Sequence, residues 1–364
     1  MRLKQLSKFP YIDEKHNHMT QFAYLKTVLV LLLVTMGGIL SISLVDARSM
    51  INQELPVFRI AKSGDSRILA VIYNDFANAS IIDVFDNVTG NFVQTVDISP
   101  YAPKLIDLSP TGDRLLWADS SSRVGIFDLN SQSNILITEG GPVFIEAVVW
   151  NPVNEVVGFS VNSAIDLYNA VDYSQIAVIG SPPPISAVVS FSWSYDGQNI
   201  ITSHSADPTV DPSGNLVDIQ LWENTLLGGI INTPSRTLSG RGGGNIEWSP
   251  DGQFIAALER GGFVVYDVVA DTFTVHPFED DSPAVLRWSP NGDLLATGGS
   301  LIRIWNTTTW EVIDTIEPEG NGSYALEWSF DGQQISHGGG PNGLYINHVE
   351  ISQLPHPHPR GHGD

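Results

Sequence analysis

A short turn motif that recurs along the chain constrains its fold more than any other feature. The fullest copy reads Trp-Ser-Pro-Asp-Gly at residues 248–252, and the residue that ends each copy serves as a marker for the repeat. A marker period near ~40 residues indicates a repeat architecture. The markers, spaced 40 to 55 residues apart, are Gly64, Gly112, Asn154, Gly197, Gly252, Gly292 and Gly332.

Each unit has the pattern of four short strands. Asp-Gly or Asn-Gly between two apolar runs favours a hairpin, because the turn requires positive φ. A third run ends in an aromatic residue followed by a short polar one, as in Tyr266-Asp267, and a fourth run follows in most units, as at 311–316. Four strands per ~40 residues make one propeller blade. The sequence therefore predicts an all-β fold: a seven-bladed β-propeller of four-stranded antiparallel blades.

The motifs resemble those of the WD-repeat β-propeller family over about residues 57–350. The turn motif and the strand Ile302-Arg303-Ile304-Trp305-Asn306 carry the resemblance. The family's Gly-His pair is missing from every unit, and its Trp-Asp dipeptide is replaced by Trp222-Glu223 and Trp305-Asn306, so we expect its buried hydrogen-bond tetrad to be absent. The turn is also similar to that of periplasmic propellers related to the Tol-system receptor.

The N-terminal region differs from the repeats. Residues 1–26 are polar and basic, and the next 19 residues carry no charge before Asp46. An apolar run of this length spans a bilayer, and the preceding basic residues favour a cytoplasmic N-terminus. We expect a cytoplasmic segment at 1–26 and one transmembrane helix at 27–47, with the rest outside the cytoplasm. The alternative is a signal peptide cleaved after Ala47, which gives a secreted protein.

The propeller is assigned to residues 48–354, followed by a disordered His/Pro tail at 355–364. Closing the ring requires one more strand for the last blade, from 49–55 or from 349–354. We favour 49–55, because prolines soon end any C-terminal strand.

The net charge limits the classes of partner that can bind, and the cysteine content indicates the cellular compartment. Residues 48–364 contain 13 basic and 37 acidic residues, a net charge of −24, which repels nucleic acid and anionic lipid. The chain has no cysteine, which favours a bacterial envelope or surface protein. We expect an unidentified protein partner, no nucleic acid, membrane contact only through the N-terminal helix, and a monomer.

The insertions at 74–79 and 205–215 follow the second strand of their units. They and the irregular links between units fall on the face opposite the Asp-Gly turns, here called the top face. Long loops on a regular scaffold often carry binding sites. The predicted partner-binding residues are Phe76, Tyr101, Asp207, Asp211 and Phe278.

Charged residues precede the turn in several units, at a position close to the propeller axis. They are Asp107, Glu247, Arg287 and Glu327. The pattern indicates either ion pairs between neighbouring blades or an ion-binding site in the channel. Buried pairs carry a desolvation cost and are weak evidence of stability.

The sequence contains no Gly-x-Ser-x-Gly elbow, phosphate-binding loop or His-Glu-x-x-His motif. No catalytic residue, cofactor or metal site is predicted. Oxygen ligands at Asp207, Asp211, Ser213 and Asn215 are read as a turn cluster, and the tail histidines as part of a disordered segment. The predicted function is a non-enzymatic, extracytoplasmic module for protein binding or scaffolding. The alternatives are a hydrolase or lyase with its site at the central channel, and a purely structural surface protein.

Overall fold

The serine of each turn motif fixes the reversal between the first two strands of a blade. In the fifth blade the Ser249 hydroxyl donates to Asp251 Oδ1 at 2.7 Å and accepts from Phe254 N at 2.8 Å. Gly252 N donates to Ser249 O at 2.9 Å, and the glycine has a φ of 72°, which costs it no steric strain. The same serine contacts recur in blades 4, 6 and 7, and in blade 2 Ser109 makes the same backbone contact but donates to Asp113, four residues on. The sequence motif therefore builds a hairpin on one face of the propeller.

The computed structural model describes residues 57–74, 80–180, 187–205, 218–223, 225–239, 244–259, 261–278, 283–318, 322–338 and 344–349. They form seven sheets in chain order, which confirms the predicted seven-bladed, all-β propeller. The segment 27–47 predicted as a helix, the tail, the segment 49–55 and all of 349–354 except Val349 lie outside these residues.

The strands of blades 1 to 4 pair antiparallel in sequence order within each sheet. Blade 1 has β1 Val57–Lys62, β2 Ile68–Asn74, β3 Ser80–Asp86 and β4 Asn91–Val96. Blade 2 has β5 Pro103–Leu108, β6 Arg114–Asp119, β7 Val124–Asp128 and β8 Ser133–Thr138. Blade 3 has β9 Val148–Trp150, β10 Val156–Val161, β11 Ala164–Asn169 and β12 Gln175–Gly180. Blade 4 has β13 Val188–Trp193, β14 Ile200–His204, β15 Asp218–Trp222 and β17 Arg236–Ser239.

Blades 5 and 6 repeat the four-stranded pattern, and blade 7 shows three strands within the described residues. Blade 5 has β18 Ile246–Trp248, β19 Phe254–Glu259, β20 Gly262–Asp267 and β21 Thr272–Pro277. Blade 6 has β22 Val285–Trp288, β23 Leu294–Gly298, β24 Ile302–Asn306 and β25 Val312–Ile316. Blade 7 has β26 Ala325–Trp328, β27 Gln334–Gly338 and β28 Tyr345–His348.

Blade 4 departs from the repeat after its third strand. In five other blades the short polar residue after the aromatic accepts two backbone hydrogen bonds from the next turn, as Asp267 does. Blade 4 has Glu223 there, and the chain passes through a 3-10 helix, Thr225–Leu227, to β16, Gly229–Ile231. β16 pairs in parallel with β12 of blade 3 before β17 completes blade 4. The passage of the chain to blade 3 and back lengthens the fourth unit, in addition to the insertion at 205–215.

The turn of blade 1 lies two residues later than the marker spacing predicts. Ser63 Oγ accepts from Ile68 N at 2.9 Å, the contact that the turn serine makes in the other blades. The residue with positive φ is Ser66, at 56°, and not the marker Gly64. Lys62 therefore takes the place at the end of the innermost strand that tryptophan holds in blade 5.

The apolar core lies in layers between neighbouring blades. Trp117, Trp222 and Trp328 are among its largest fully buried side chains. Blades 7 and 1 are also in contact, since Asn87 Nδ2 donates to Trp328 O at 3.2 Å. The ring is thus continuous from the last blade to the first.

The two nearest equivalents of the Trp-Asp dipeptide each use their tryptophan in a buried hydrogen bond. Trp222 Nε1 donates to Thr202 Oγ1 at 3.0 Å, and Trp305 Nε1 donates to Thr297 Oγ1 at 3.1 Å. Thr202 Oγ1 also lies 2.8 Å from His204 Nε2. A buried tryptophan–threonine hydrogen bond is therefore present in blades 4 and 6.

Candidate functional site

The four predicted inner-ring charges lie on the innermost strands, one residue before each strand ends. They belong to blades 2, 5, 6 and 7, and each side chain reaches towards a neighbouring blade. We call this set, together with Lys62 of blade 1, the axial ring. Its members are Lys62, Asp107, Glu247, Arg287 and Glu327.

Arg287 and Glu327 form the closest ion pair of the axial ring. Arg287 Nε donates to Glu327 Oε1 at 2.6 Å, and Glu327 is only 5% exposed. Lys62 Nζ lies 3.3 Å from the other carboxylate oxygen, so Glu327 contacts cations from both adjacent blades. Arg287 also donates to Asn245 Oδ1 at 3.1 Å and to Leu286 O at 2.8 Å. The structure therefore joins blades 6, 7 and 1 through one carboxylate.

The other two carboxylates of the axial ring accept hydrogen bonds from the main chain of the next blade. Glu247 Oε2 accepts from Trp288 N at 2.8 Å, and Asp107 Oδ2 accepts from Trp150 N at 2.6 Å. Asp107 Oδ1 accepts from Leu108 N at 2.9 Å. Each carboxylate thus bridges its own blade and the following one.

The charges of the axial ring influence one another's pKa values. Burial raises the pKa of Asp107 to about 7, and the charge of Glu327 adds to the rise, while the hydrogen bonds from Trp150 and Leu108 oppose it. Burial also raises the pKa of Glu247, and Arg287 acts against that rise. For Arg287 burial disfavours the charge, but Glu327 and Glu247 outweigh it and raise the pKa. Residues on blades this far apart in the ring interact only if their side chains meet near its centre.

A second cluster lies above the axial ring, at the top end of the innermost strands of blades 1 and 2. The strand register shifts around Phe58 and around Lys104, so each is the extra residue of a β-bulge. Phe58 is 41% exposed. The Arg59 guanidinium carbon lies 5.7 Å from its ring centroid, and Lys104 Nζ lies 5.8 Å from the same centroid. We call Phe58, Arg59 and Lys104 the mouth cluster; none of the three was among the predicted site residues.

Two further aromatic rings are exposed at positions that precede an innermost strand. Phe144 precedes β9 and is 72% exposed, and Tyr324 precedes β26 and is 48% exposed. Both lie on links between blades, which return to the top face. Sequence reasoning missed them because it considered only the irregular and inserted loops.

Two of the five predicted partner-binding residues fall in the described chain. Tyr101, between blades 1 and 2, packs on Trp117 with ring centroids 4.9 Å apart, and Arg123 covers it at 4.7 Å. Phe278, between blades 5 and 6, packs on Trp305 at 5.7 Å. Both rings are half-buried, so they support the blades and leave only part of each ring open. The other three, Phe76, Asp207 and Asp211, lie outside the described residues.

Blades 5 and 6 meet in an aromatic cluster around His276. This histidine is 8% exposed, stacks on Phe263 at 4.7 Å and makes a tilted ring contact with Trp310 at 4.9 Å. Burial lowers its pKa, and within the described chain its Nε2 has no hydrogen-bond partner. Trp310 has a φ of 58°, an unusual conformation for an aromatic residue. The cluster fills the space between two blades and therefore has a packing role.

Within the described ranges, no group of three or more His, Asp and Glu side chains is placed to hold a metal ion. In that same part of the chain, no helix is long and apolar enough to cross a membrane. The tail histidines and the segment 27–47 lie outside the described ranges.

Comparison with known proteins agrees with this architecture. The WD40 family model, described as WD domain, G-beta repeat, matches residues 270–306, which hold the outer strand of blade 5 and the first three strands of blade 6. One repeat thus matches the family model, and seven blades built on one turn motif support a divergent WD-repeat β-propeller.

Among solved structures, the hydrazine synthase of Kuenenia stuttgartiensis has a similar fold. It is 14% identical to this chain, with a TM-score of 0.68 over 83% of this chain and 98% of that chain. At this identity the likeness shows the fold alone. No curated protein matches the sequence.

Proposed function

We propose that this protein is a non-enzymatic propeller that binds a protein partner through its top face. The observation that carries the proposal is the exposure of Phe58, Phe144 and Tyr324 where the innermost strands begin. Exposed aromatic rings beside charged groups are typical of protein-binding surfaces, where they provide anchors. The N-terminal segment is proposed to hold the propeller at the outer side of the cytoplasmic membrane.

The arrangement of the axial ring supports a binding module over an enzyme. Its carboxylates are engaged with neighbouring blades, Glu327 with Arg287 and Glu247 with Trp288 N. Groups held in this way stabilise a ring of blades and are poorly placed to accept a proton from a substrate. WD-repeat propellers are, in general, interaction modules.

One observation favours the rival proposal of a hydrolase or lyase at the channel. Burial raises the pKa of Asp107 to about 7, a value suited to general acid–base catalysis. Both of its oxygens, however, accept backbone hydrogen bonds from Trp150 and Leu108, as in a structural carboxylate. An Asp107→Asn variant that keeps partner capture supports the binding module, whereas loss of a measured hydrolytic activity in that variant would establish the enzyme.

Replacement of the 205–215 insertion tests partner docking on the top face. The full-length protein, purified in a non-ionic detergent, is used as bait for chemical cross-linking in envelope extract. Exchange of 205–215 for Asn-Gly should leave the Tm nearly unchanged, since surface loops tolerate such changes, and should abolish capture. The matched controls are substitutions at Gln253 and Asp293, in the turns of the opposite face. Loss of capture in those controls alone would place the partner on the other face.

The proposed localisation has its own test. A reporter enzyme that is active only after export, fused after Asp364, should be active. Activity of a cytoplasm-only reporter at the same position would contradict the proposed topology. N-terminal sequencing of the mature protein distinguishes an anchor from a cleaved signal, for which Arg48 would be the first residue.

A further inference from the structure

The mouth cluster brings two cations to one exposed aromatic ring in a chain with a large excess of acid. The chain has 18 basic and 40 acidic residues. Arg59 and Lys104 both lie within 6 Å of the Phe58 ring centroid, at 5.7 and 5.8 Å. The three side chains come from adjacent blades, and two are placed by β-bulges, which commonly redirect side chains next to functional sites.

These two cations differ from the other basic residues of the described chain. Each of the others has an ion-pair partner, such as Glu155 for Arg114 and Asp119 for Arg123, or another polar contact. Within the described ranges, Arg59 and Lys104 have no carboxylate at ion-pair distance; their close contact is with the Phe58 ring. The acid excess makes this unusual, because carboxylates outnumber cations about twofold.

Arg59 is influenced by charges from other blades of the ring. Its charge interacts with that of Arg287 in blade 6 and with that of Glu146 in blade 3, although Arg59 itself belongs to blade 1. Arg59 also lies on β1, the innermost strand of blade 1, which borders the channel. Burial and the charge of Arg287 lower the pKa of Arg59, yet its side chain is accessible to solvent. A group that is both accessible and surrounded by protein lines a narrow depression, here the mouth of the channel.

We propose that the mouth cluster binds the carboxylates of a partner peptide, with Arg59 and Lys104 pairing the charges and Phe58 packing on the neighbouring aliphatic atoms. This inference rests on the proposed function, because it specifies the chemistry of the partner that docks on the top face. The guanidinium of Arg59 presents a planar pair of donors that fits a carboxylate, and Lys104 supplies a second positive charge beside it. The net charge of −22 repels a nucleic acid, which carries a charge at every phosphate, more strongly than a peptide with a few carboxylates. The two sources of such carboxylates are a peptide C-terminus and acidic side chains.

The test uses short peptides that carry a neutral dye at the N-terminus, measured by fluorescence anisotropy against the full-length protein in detergent. The first probe is Gly-Leu-Glu-Glu with a free C-terminus, the second is its C-terminal amide, and the third is Gly-Leu-Gln-Gln amide. We expect the first probe to bind and the third not to bind. Retention of binding by the second assigns the site to acidic side chains, and its loss assigns the site to the C-terminus.

Arg59→Gln and Lys104→Gln should each weaken binding of the first probe about tenfold, as expected for loss of one charge-assisted contact. Arg67→Gln is the matched control, since it removes the same charge from the opposite end of blade 1, where the side chain is 67% exposed. Equal weakening by Arg67→Gln would show a nonspecific charge effect and overturn the proposal. Absence of binding of the first probe at low ionic strength would overturn it as well.

The same variants separate this inference from the proposed function. Capture of a cross-linked partner that is unchanged by Arg59→Gln and Lys104→Gln would support top-face docking and refute the carboxylate site. Peptide binding that depends on both cations, together with no capture of any partner, would support the site and refute the docking module.

Discussion

Replacing Arg287 with methionine tests whether the axial ring is a dry ion-pair network. The substitution removes the 2.6 Å contact to Glu327 Oε1 and the hydrogen bond to Asn245 Oδ1, but keeps much of the aliphatic volume. Removing one partner of a buried pair costs roughly 3–5 kcal/mol. Glu327 is 5% exposed and cannot regain full hydration, so a penalty of this kind is expected.

Two contacts decide where in that range the effect falls. Glu327 keeps Lys62 Nζ at 3.3 Å, and Glu247 keeps its hydrogen bond from Trp288 N at 2.8 Å. Neither carboxylate is left without a compensating group, so we expect the lower end, about 3 kcal/mol. This is a large fraction of the roughly 5–15 kcal/mol by which domains are stable. Adding Glu327→Gln should recover about 1–2 kcal/mol, because a neutral amide no longer requires a counter-charge.

The assay is urea unfolding followed by tryptophan fluorescence, with midpoint and slope compared between variants. Arg67→Met is the control, since Arg67 is 67% exposed and lies 3.9 Å from Asp65, and it should change stability by less than about 0.5 kcal/mol. A change below about 1 kcal/mol for Arg287→Met would refute the reasoning. It would show that water fills the channel at this depth and hydrates the carboxylates.

Three further predictions address other parts of the fold. Burial lowers the pKa of His276 below 6.5, so the neutral histidine favours the folded state above that pH and its contribution is lost as the pH falls below it. His276→Phe should therefore make the Tm less sensitive to acid between pH 6.5 and 5, and equal acid sensitivity of the variant would contradict this. Ile231→Ser removes a side chain packed on blade 3 and should lower the free energy of unfolding in urea by about 1–2 kcal/mol. Ile230→Ser, at an 80% exposed position, should leave it almost unchanged, and equal effects of the two variants would mean that β16 does not pack on blade 3. Gly112→Ala should destabilise the protein more than Gly252→Ala, although both glycines have φ near 72°. An added Cβ would lie 2.7 Å from Ile68 at Gly112 and would meet no atom within 4 Å at Gly252. Similar urea midpoints for the two variants would contradict this steric difference.

The turn motif predicts the number of blades because every strong copy forms the same serine-anchored hairpin. The motif fails in blade 1, where a glycine is present but the residue with positive φ is Ser66. Its register is set by the hydroxyl of Ser63, which accepts the hydrogen bond from Ile68 N. Choosing glycine as the marker put Arg59 at the position of Glu247, two residues too early. A serine-based alignment corrects the turn but puts Ala61 at the position of Glu247 and Lys62 at that of Trp248, so the contact of Lys62 with Glu327 emerges only from the structure.

Other features depend on contacts between distant residues. Glu223 replaces the aspartate or asparagine that elsewhere anchors the outer turn, and this was the one local sign that the chain leaves blade 4 to form β16. The β-bulges at Phe58 and Lys104 have no comparable signal, because strand register is determined by pairing with β2 and β6. The residues of the mouth cluster are therefore ordinary in sequence and become a site only through the closed ring.

The axial ring and the mouth cluster lie at different depths of the channel, and their charges are compensated in different ways. This difference leads to a last prediction. In the axial ring the cations and carboxylates contact one another, as Arg287 and Lys62 contact Glu327. In the mouth cluster burial and the charge of Arg287 disfavour the charge on Arg59 and together outweigh the favourable charge of Glu146. Arg59→Gln should therefore leave the folded state unchanged or more stable by about 0.5 kcal/mol, since solvent screens most of the repulsion. Urea unfolding measures this shift, with Arg287→Met as the contrasting destabilised variant. A loss of more than about 1 kcal/mol would mean that Arg59 stabilises the ring, and its charge would then serve the fold and not a ligand.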